Sequence, residues 1–260
     1  ISFYGRVNYG LMDKYMITAT VRRDGSSRFG ADHKWGTFPS VSVAWRIINE
    51  KFMEGTHSWL DNLKLRVGYG ITGNQNGVDP YKSLSVLSSA GASYYDAATG
   101  TWKNSYVQAQ NANPDLKWES TAQFNVGIDF GFLNRINGSL EFYHKKTSDL
   151  LWTYPVPQPP YLVGTMLANV GDMVNKGVEL TLGANIVRTK DFSLSANASL
   201  AYNKQEITKL SNSQYQAVGL QAGSLVAAVQ PVSANAVLAG RQKNGGNALG
   251  LQAVNQTWFS

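Results

Sequence analysis

The 260 residues carry 23 Lys and Arg against 17 Asp and Glu, a formal charge of +6 with a pI near 9.4. The cations are scattered, so the long basic run that would argue for a nucleic-acid partner is missing. Only 15% of residues are charged, with 12% aromatic, 25 Gly and no Cys, which favours many short strands and turns over a helical bundle and excludes disulfide frameworks, thiolate nucleophiles and Cys-based zinc sites.

Ile1, Phe3, Val7 and Tyr9 alternate with Ser2, Arg6 and Asn8, the period-2 pattern of a strand with one apolar face. A turn at 11–14 leads into a second strand with Tyr15, Ile17, Ala19 and Val21 on one side and Met16, Thr18, Thr20 and Arg22 on the other. The third sets Val41, Val43, Trp45 and Ile47 against Ser40, Ser42, Ala44 and Arg46, and the fourth sets Leu63, Leu65, Val67, Tyr69 and Ile71 against Lys64, Arg66, Gly68 and Gly70. The same alternation returns over 121–130, 136–143, 178–186 and 192–202, giving about eight strands. Their second face carries Lys64, Arg66, Asp129, Glu141 and Glu179, charges that a dry sandwich core would have to bury unpaired and a water-filled lumen would hydrate. A soluble antiparallel sheet with one wet face has the same alternation. No apolar stretch approaches the roughly 18 residues of a membrane-spanning helix, and the opening residues lack a signal-peptide pattern, so the chain is expected to begin in mid-protein.

Connection lengths alternate. Short links at 11–14, 131–135 and 187–191 oppose long ones at 24–38, 73–117 and 146–176, with 48–62 an exception on the short rim. Membrane barrels show this asymmetry between periplasmic turns and external loops, whereas long structureless loops are uncommon in compact soluble domains. Tyr9, Tyr15, Trp45, Phe130 and Phe192 all fall on the apolar face near the short rim and read as a lipid-facing aromatic girdle, or else as core residues near a sheet edge. Tyr69, Phe142 and Tyr202 mark the opposite girdle.

Other motifs are weaker. Gly68, Gly70 and Gly73 match a dinucleotide fingerprint, but NQNGVDP follows where a helix must open. His33, His57 and His144 have no metal-ligand spacing, and Asp24, Asp32 and Asp96 lie in no calcium-loop pattern. No catalytic constellation has recognisable context, so neither an enzyme nor a cofactor is expected. The proline-rich run at 155–161 reads as a stiff extended segment shaping a loop.

Several strings together resemble the SusC/RagA family of TonB-linked outer-membrane transporters: YGRVNYGLMDKYMITATVRRDGSSRFG at 4–30, KWGTFPSVSVAWRI at 34–47, LDNLKLRVGYGITGNQN at 60–76, NPDLKWESTAQFNVGIDFGFLN at 113–134, EFYHKKTSDLL at 141–151 and NVGDMVNKGVELTLGAN at 169–185. The resemblance implies an all-β antiparallel transmembrane β-barrel of about 22 strands around an N-terminal plug, of which this chain supplies only later strands. It also implies an outer-membrane location, TonB energisation, a SusD-like lid lipoprotein, contact with outer-membrane lipid, and uptake of a glycan or peptide. Residues 1–210 are expected to form the barrel portion and 211–260 an atypical Ala/Gln/Asn/Gly-rich tail, loop or extension. Tyr94, Tyr95, Trp102 and Trp152 on the long-loop rim are candidates for stacking on such a nutrient or, equally, for packing the loops together, with Trp118 at a strand mouth the more structural residue. The alternative is a soluble or surface β-sheet glycan-binding module, whose apolar faces would pack against each other.

Overall fold

A computed structural model of the chain describes residues 1–189 and 192–209 and the backbone of 225–240. Thirteen strands follow one another: β1 (Ser2–Leu11), β2 (Tyr15–Gly25), β3 (Trp35–Arg46), β4 (Leu60–Asn74), β5 (Val86–Asp96), β6 (Thr101–Gln110), β7 (Glu119–Phe132), β8 (Ile136–Ser148), β9 (Leu151–Pro155), β10 (Thr165–Asn169), β11 (Asp172–Arg188), β12 (Phe192–Lys209) and β13 (Leu225–Gly240). Nine of them form one sheet in the order β1-β2-β3-β4-β7-β8-β11-β12-β13, with every neighbouring pair antiparallel. This is an all-β wall of up-and-down strands, a barrel portion that does not close on itself within the described residues.

Register makes the wall two-faced. Tyr9, Ile17, Val43, Val67, Val126, Phe142, Val178 and Tyr202 stand opposite one another strand by strand in a single row. The adjacent row, on the other face, is Asn8, Thr18, Ser42, Gly68, Asn125, Tyr143, Gly177 and Asn203. Because side chains alternate with a period of two, a one-residue slip of any strand would exchange its two faces, so the pattern fixes the register. The apolar face is uncovered, with Phe142 43% and Tyr202 49% exposed, and no second sheet packs on it among the described residues. The packing of apolar faces against each other that a soluble module requires is therefore not found there.

Two of the short turns have the same construction. Met12 and Asp13 join β1 to β2, and Leu133 and Asn134 join β7 to β8, each pair with both residues at positive φ, the type I′ geometry whose twist matches that of the flanking strands. The buried core lies at the long-loop rim, where Phe29, Phe38, Val78, Leu116 and Trp118 form one cluster with Ile71, Leu151 and Leu167 packed against it.

Several expectations change. The third strand stops at Arg46, because Ile47 already belongs to a 3-10 turn. β11 and β12 run to 17 and 18 residues, longer than the alternation suggested, since the backbone continues past the last apolar position. The long links at 73–117 and 146–176 are not structureless, holding the β5–β6 and β9–β10 hairpins. The proline-rich run is a turn and not an extended rod: the Val156 N–H donates to Gly164 O (2.9 Å) and the Tyr161 N–H to Pro157 O (3.3 Å).

Candidate functional site

The polar face gathers its charges in one place. Lys64 Nζ lies 2.8 Å from Asp129, and Arg66 donates to the same carboxylate through Nε (3.1 Å) and Nη2 (3.0 Å) while reaching Glu141 at 3.5 Å. Glu141 also accepts from Asn125 Nδ2 at 3.1 Å. The glycine at 127 makes this possible, because a Cβ there would sit 2.9 Å from the Arg66 guanidinium that lies across it. Met16, Thr18, Ser42, Arg66, Gln123 and Glu141 line a concavity of about 520 Å³ on this face. Two cations facing two carboxylates form a hydrated, nearly neutral surface, with Glu179 opposite Glu141 adding one more acid. Such a surface suits a polar object inside a lumen and is unfit for a dry core.

At the rim, asparagine side chains join the connections. Asn111 Nδ2 donates to the carbonyls of Val163 and Thr165, while its Oδ1 accepts from the Val163 N–H. Asn113 Nδ2 donates to Leu167 O at 2.8 Å. Asn169 accepts from the Lys117 N–H and donates to Lys117 O, both at 2.8 Å, and to Asp149 O at 3.0 Å. An amide, with one acceptor and two donors, can stand in for a strand neighbour in this way, so the stretch 111–117 is held to the β9–β10 hairpin without a ladder of its own. Tyr154 is buried beside Ala168 and Val170, donating to Val170 O at 2.9 Å, and burial pushes its phenol pKa up. None of these residues was singled out from the sequence. The only local signal is the polar Asn-x-Asn spacing of 111 and 113.

Of the four stacking candidates, the fold brings two together. Tyr95 and Trp102 are register partners near the tip of the β5–β6 hairpin, with ring centroids 5.5 Å apart and exposures of 51% and 64%. Tyr94 pairs with Lys103. Trp152 stands on the separate β9–β10 hairpin, opposite Ala168, and makes no ring contact with the other three. The hairpin tip is pinned by an ion pair between Asp96 and Lys103, and this lysine, with Thr99 and the Ala98 N–H, holds the Asp96 carboxyl below the usual range. Trp118 is buried, 4.7 Å from Phe29 and 5.5 Å from Phe38 between ring centroids.

The five aromatics at the short rim lie on the apolar face. Tyr15 and Trp45 are register partners, stacked at 6.3 Å, and both donate to Glu50, from Tyr15 Oη at 2.7 Å and from Trp45 Nε1 at 3.1 Å. Lys14 Nζ completes the set at 3.0 Å. The Tyr15 hydroxyl, then Lys14 and Trp45, bring the Glu50 carboxyl down to about 2. This carboxylate fastens the long 48–62 connection to the wall. Tyr9 faces Ile17, Phe130 lies over Gly138 and 5.6 Å from Phe132, and Phe192 is exposed at the first position of β12. Trp59, stacked on Phe132 at 6.0 Å, extends the group and was not anticipated from the sequence.

Gly68, Gly70 and Gly73 lie inside β4, with no helix after them, so no phosphate cradle forms. Gly73 leaves room for the ring of Phe38.

A family model described as TonB dependent receptor-like, beta-barrel, matches residues 1–258. The chain is 40% identical over 229 residues to the TonB-dependent receptor SusC of Bacteroides thetaiotaomicron, an alignment covering 87% of the chain and 22% of that receptor. It is 37% identical over 212 residues to the TonB-dependent receptor P39 of Formosa agariphila, covering 81% of the chain and 20% of the receptor. Among solved structures, the RagAB peptide importer in its closed-closed state superposes with a TM-score of 0.74 at 34% identity, covering 85% of this chain and 24% of the other. The open-open state of the same importer gives 0.74 at 32% identity, covering 89% and 24%. The chain thus spans about a fifth of the length of the receptors it resembles.

Proposed function

Because the chain belongs to the TonB-dependent receptor β-barrel family, we propose that it is part of the barrel wall of an outer-membrane importer that takes up a bulky nutrient, a glycan or a peptide, with energy supplied through TonB. One observation carries this reading: a solvent-exposed apolar row runs across the wall from Tyr9 on β1 to Tyr202 on β12 and is backed by a face that holds Arg66, Asp129 and Glu141. Lipid on one side and a polar lumen on the other satisfy both faces at once.

In this reading Tyr9, Tyr15, Trp45, Phe130 and Phe192 sit at the membrane–water boundary on the periplasmic side, where an aromatic body meets acyl chains and a polar edge meets water. The polar concavity faces the plug of the complete receptor. Residues 1–210 form wall and loops, and within 211–260 the strand β13 adds to the wall beside β12. A lid lipoprotein closes over the long-loop rim, where the exposed Tyr95 and Trp102 rings offer flat faces to sugar rings or peptide side chains, with Tyr94 and Trp152 as outlying contacts. Carrying, not catalysis, is the role that suits these parts.

The test uses the full-length receptor in its own outer membrane, with labelled oligosaccharides and peptides offered to cells carrying or lacking the gene, and with TonB present or removed. Uptake of one nutrient class should require both the receptor and TonB, and replacing Tyr95 and Trp102 with Ala should reduce it at limiting concentration. Uptake independent of the receptor for every nutrient offered would overturn the proposal.

A further inference from the structure

The apolar face of the wall changes character on β8, β11 and β12. On β8, Ile136, Leu140 and Phe142 are followed at the same parity by His144 and Lys146, on β11 Leu182, Leu180 and Val178 by Lys176, and on β12 Leu200 and Tyr202 by Lys204. The register sets His144 opposite Lys176 and Lys176 opposite Lys204, with Lys146 one step nearer the long-loop rim. In the same row on the neighbouring strands stand Phe124, Tyr69 and Val41, so in this row the basic side chains are confined to three adjacent strands, while Arg23, outward-facing further along β2, lies over the Trp35 ring.

Like charges directly opposite one another on a sheet repel, and little on this face answers them. Glu206 lies 3.9 Å from Lys204, and Asp172 stands at the start of β11 opposite Lys209. Lys146 and Lys176 make no ion pair among the described residues. Glu141, Glu179 and Lys145 point to the other face, where Lys145 sits over the Tyr143 ring. The cluster begins one outward-facing position beyond Phe142 and Tyr202, an order of apolar stretch, aromatic and cation that follows the passage from acyl chain to headgroup.

We propose that His144, Lys146, Lys176 and Lys204 form a binding patch for the phosphate groups of phosphorylated lipids in the outer leaflet. Strands about 4.8 Å apart and a rise of about 6.6 Å between alternate residues bring the cationic heads within the reach of one or two phosphates. Flexible lysine stems lie along the acyl region and lift their charge to the headgroup. The patch rests on the wall being membrane-spanning, as proposed above.

The full-length receptor, reconstituted into nanodiscs of phosphatidylcholine mixed with either phosphorylated lipid A or its dephosphorylated form, tests this by mass spectrometry of the lipids that remain bound on delipidation. Enrichment of the phosphorylated form is expected. It should weaken as salt is raised and fall by roughly fivefold for each lysine replaced in Lys146→Gln, Lys176→Gln and Lys204→Gln. Lys145→Gln, on the opposite face of β8, should leave it unchanged. Equal retention of both lipids by the unaltered receptor would overturn the patch while leaving the barrel reading intact. A receptor that enters no nanodisc would overturn both.

Discussion

Glu50 gathers three donors from two parts of the chain, the Lys14 ammonium and Tyr15 hydroxyl where β2 begins and the Trp45 indole near the end of β3. Its carboxyl is depressed to about 2, below the usual carboxylate range, so its contribution to stability is complete above that range and is lost as pH falls through it toward 2. Glu50→Gln should therefore speed hydrogen exchange in the 47–59 connection at neutral pH, and the difference from the native chain should shrink as the pH is lowered toward 2. Trp118 and Tyr95 make a contrasting pair. Trp118→Ala empties the centre of the rim cluster and should cost about 3–5 kcal/mol. Trp118→Phe should cost less than about 1.5 kcal/mol, since the Trp118 Nε1 makes no hydrogen bond to lose. Tyr95→Ala, at a half-exposed tip, should change stability by no more than about 0.5 kcal/mol while altering nutrient capture. Denaturation in detergent with uptake measured in parallel separates the two roles.

The strand is the scale at which the sequence was most legible, because a period-2 alternation with one uncovered face leaves little freedom of register. Val126→Arg, in the middle of the apolar row, should cost about 2–4 kcal/mol in a bilayer, whereas Gln123→Arg on the polar face of the same strand should be nearly neutral. Folding titrations in the two settings would show it. Glycines divide in the same manner: a Cβ at Gly73 would enter the Phe38 ring, so Gly73→Val should destabilise by about 1–3 kcal/mol, while one at Gly5 meets nothing within 4 Å and should be tolerated. Strand ends were less legible. β8 and β12 continue past their last apolar outward residue into His144 and Lys204, and β11 sets Lys176 between Val178 and Val174, so hydrogen bonding persists where the apolar pattern is broken. The β5–β6 hairpin was hidden for a related reason. VLSSAGASYYD has no alternation to read, and its pairing is broken by register shifts at Ser89/Gly91 and Ala92/Tyr94. Of the rim, the pairing of Tyr95 with Trp102 and the asparagine bridges needed tertiary structure, since nothing local says which carbonyl a buried amide will meet.

At the scale of the molecule, β1 is an edge of the wall with no strand partner on its outer side among the described residues, and edge strands with free N–H and C=O groups recruit other strands. The 260-residue chain refolded alone in detergent should accordingly form assemblies larger than one chain, a result that analytical ultracentrifugation would show. The same piece within a full receptor should gain protection along β1 from hydrogen exchange. The long-loop rim divides labour between feet and tips. The bonds that Asn111 and Asn113 send to the β9–β10 hairpin, and that Asn169 sends back from it, end on backbone atoms, so what holds the hairpin is indifferent to most of its sequence. The tips beyond those anchors, including the Tyr95–Trp102 end of the neighbouring hairpin, can be exchanged without unfastening the base. An engineer who wished to retarget capture could graft new tips onto feet that need no redesign.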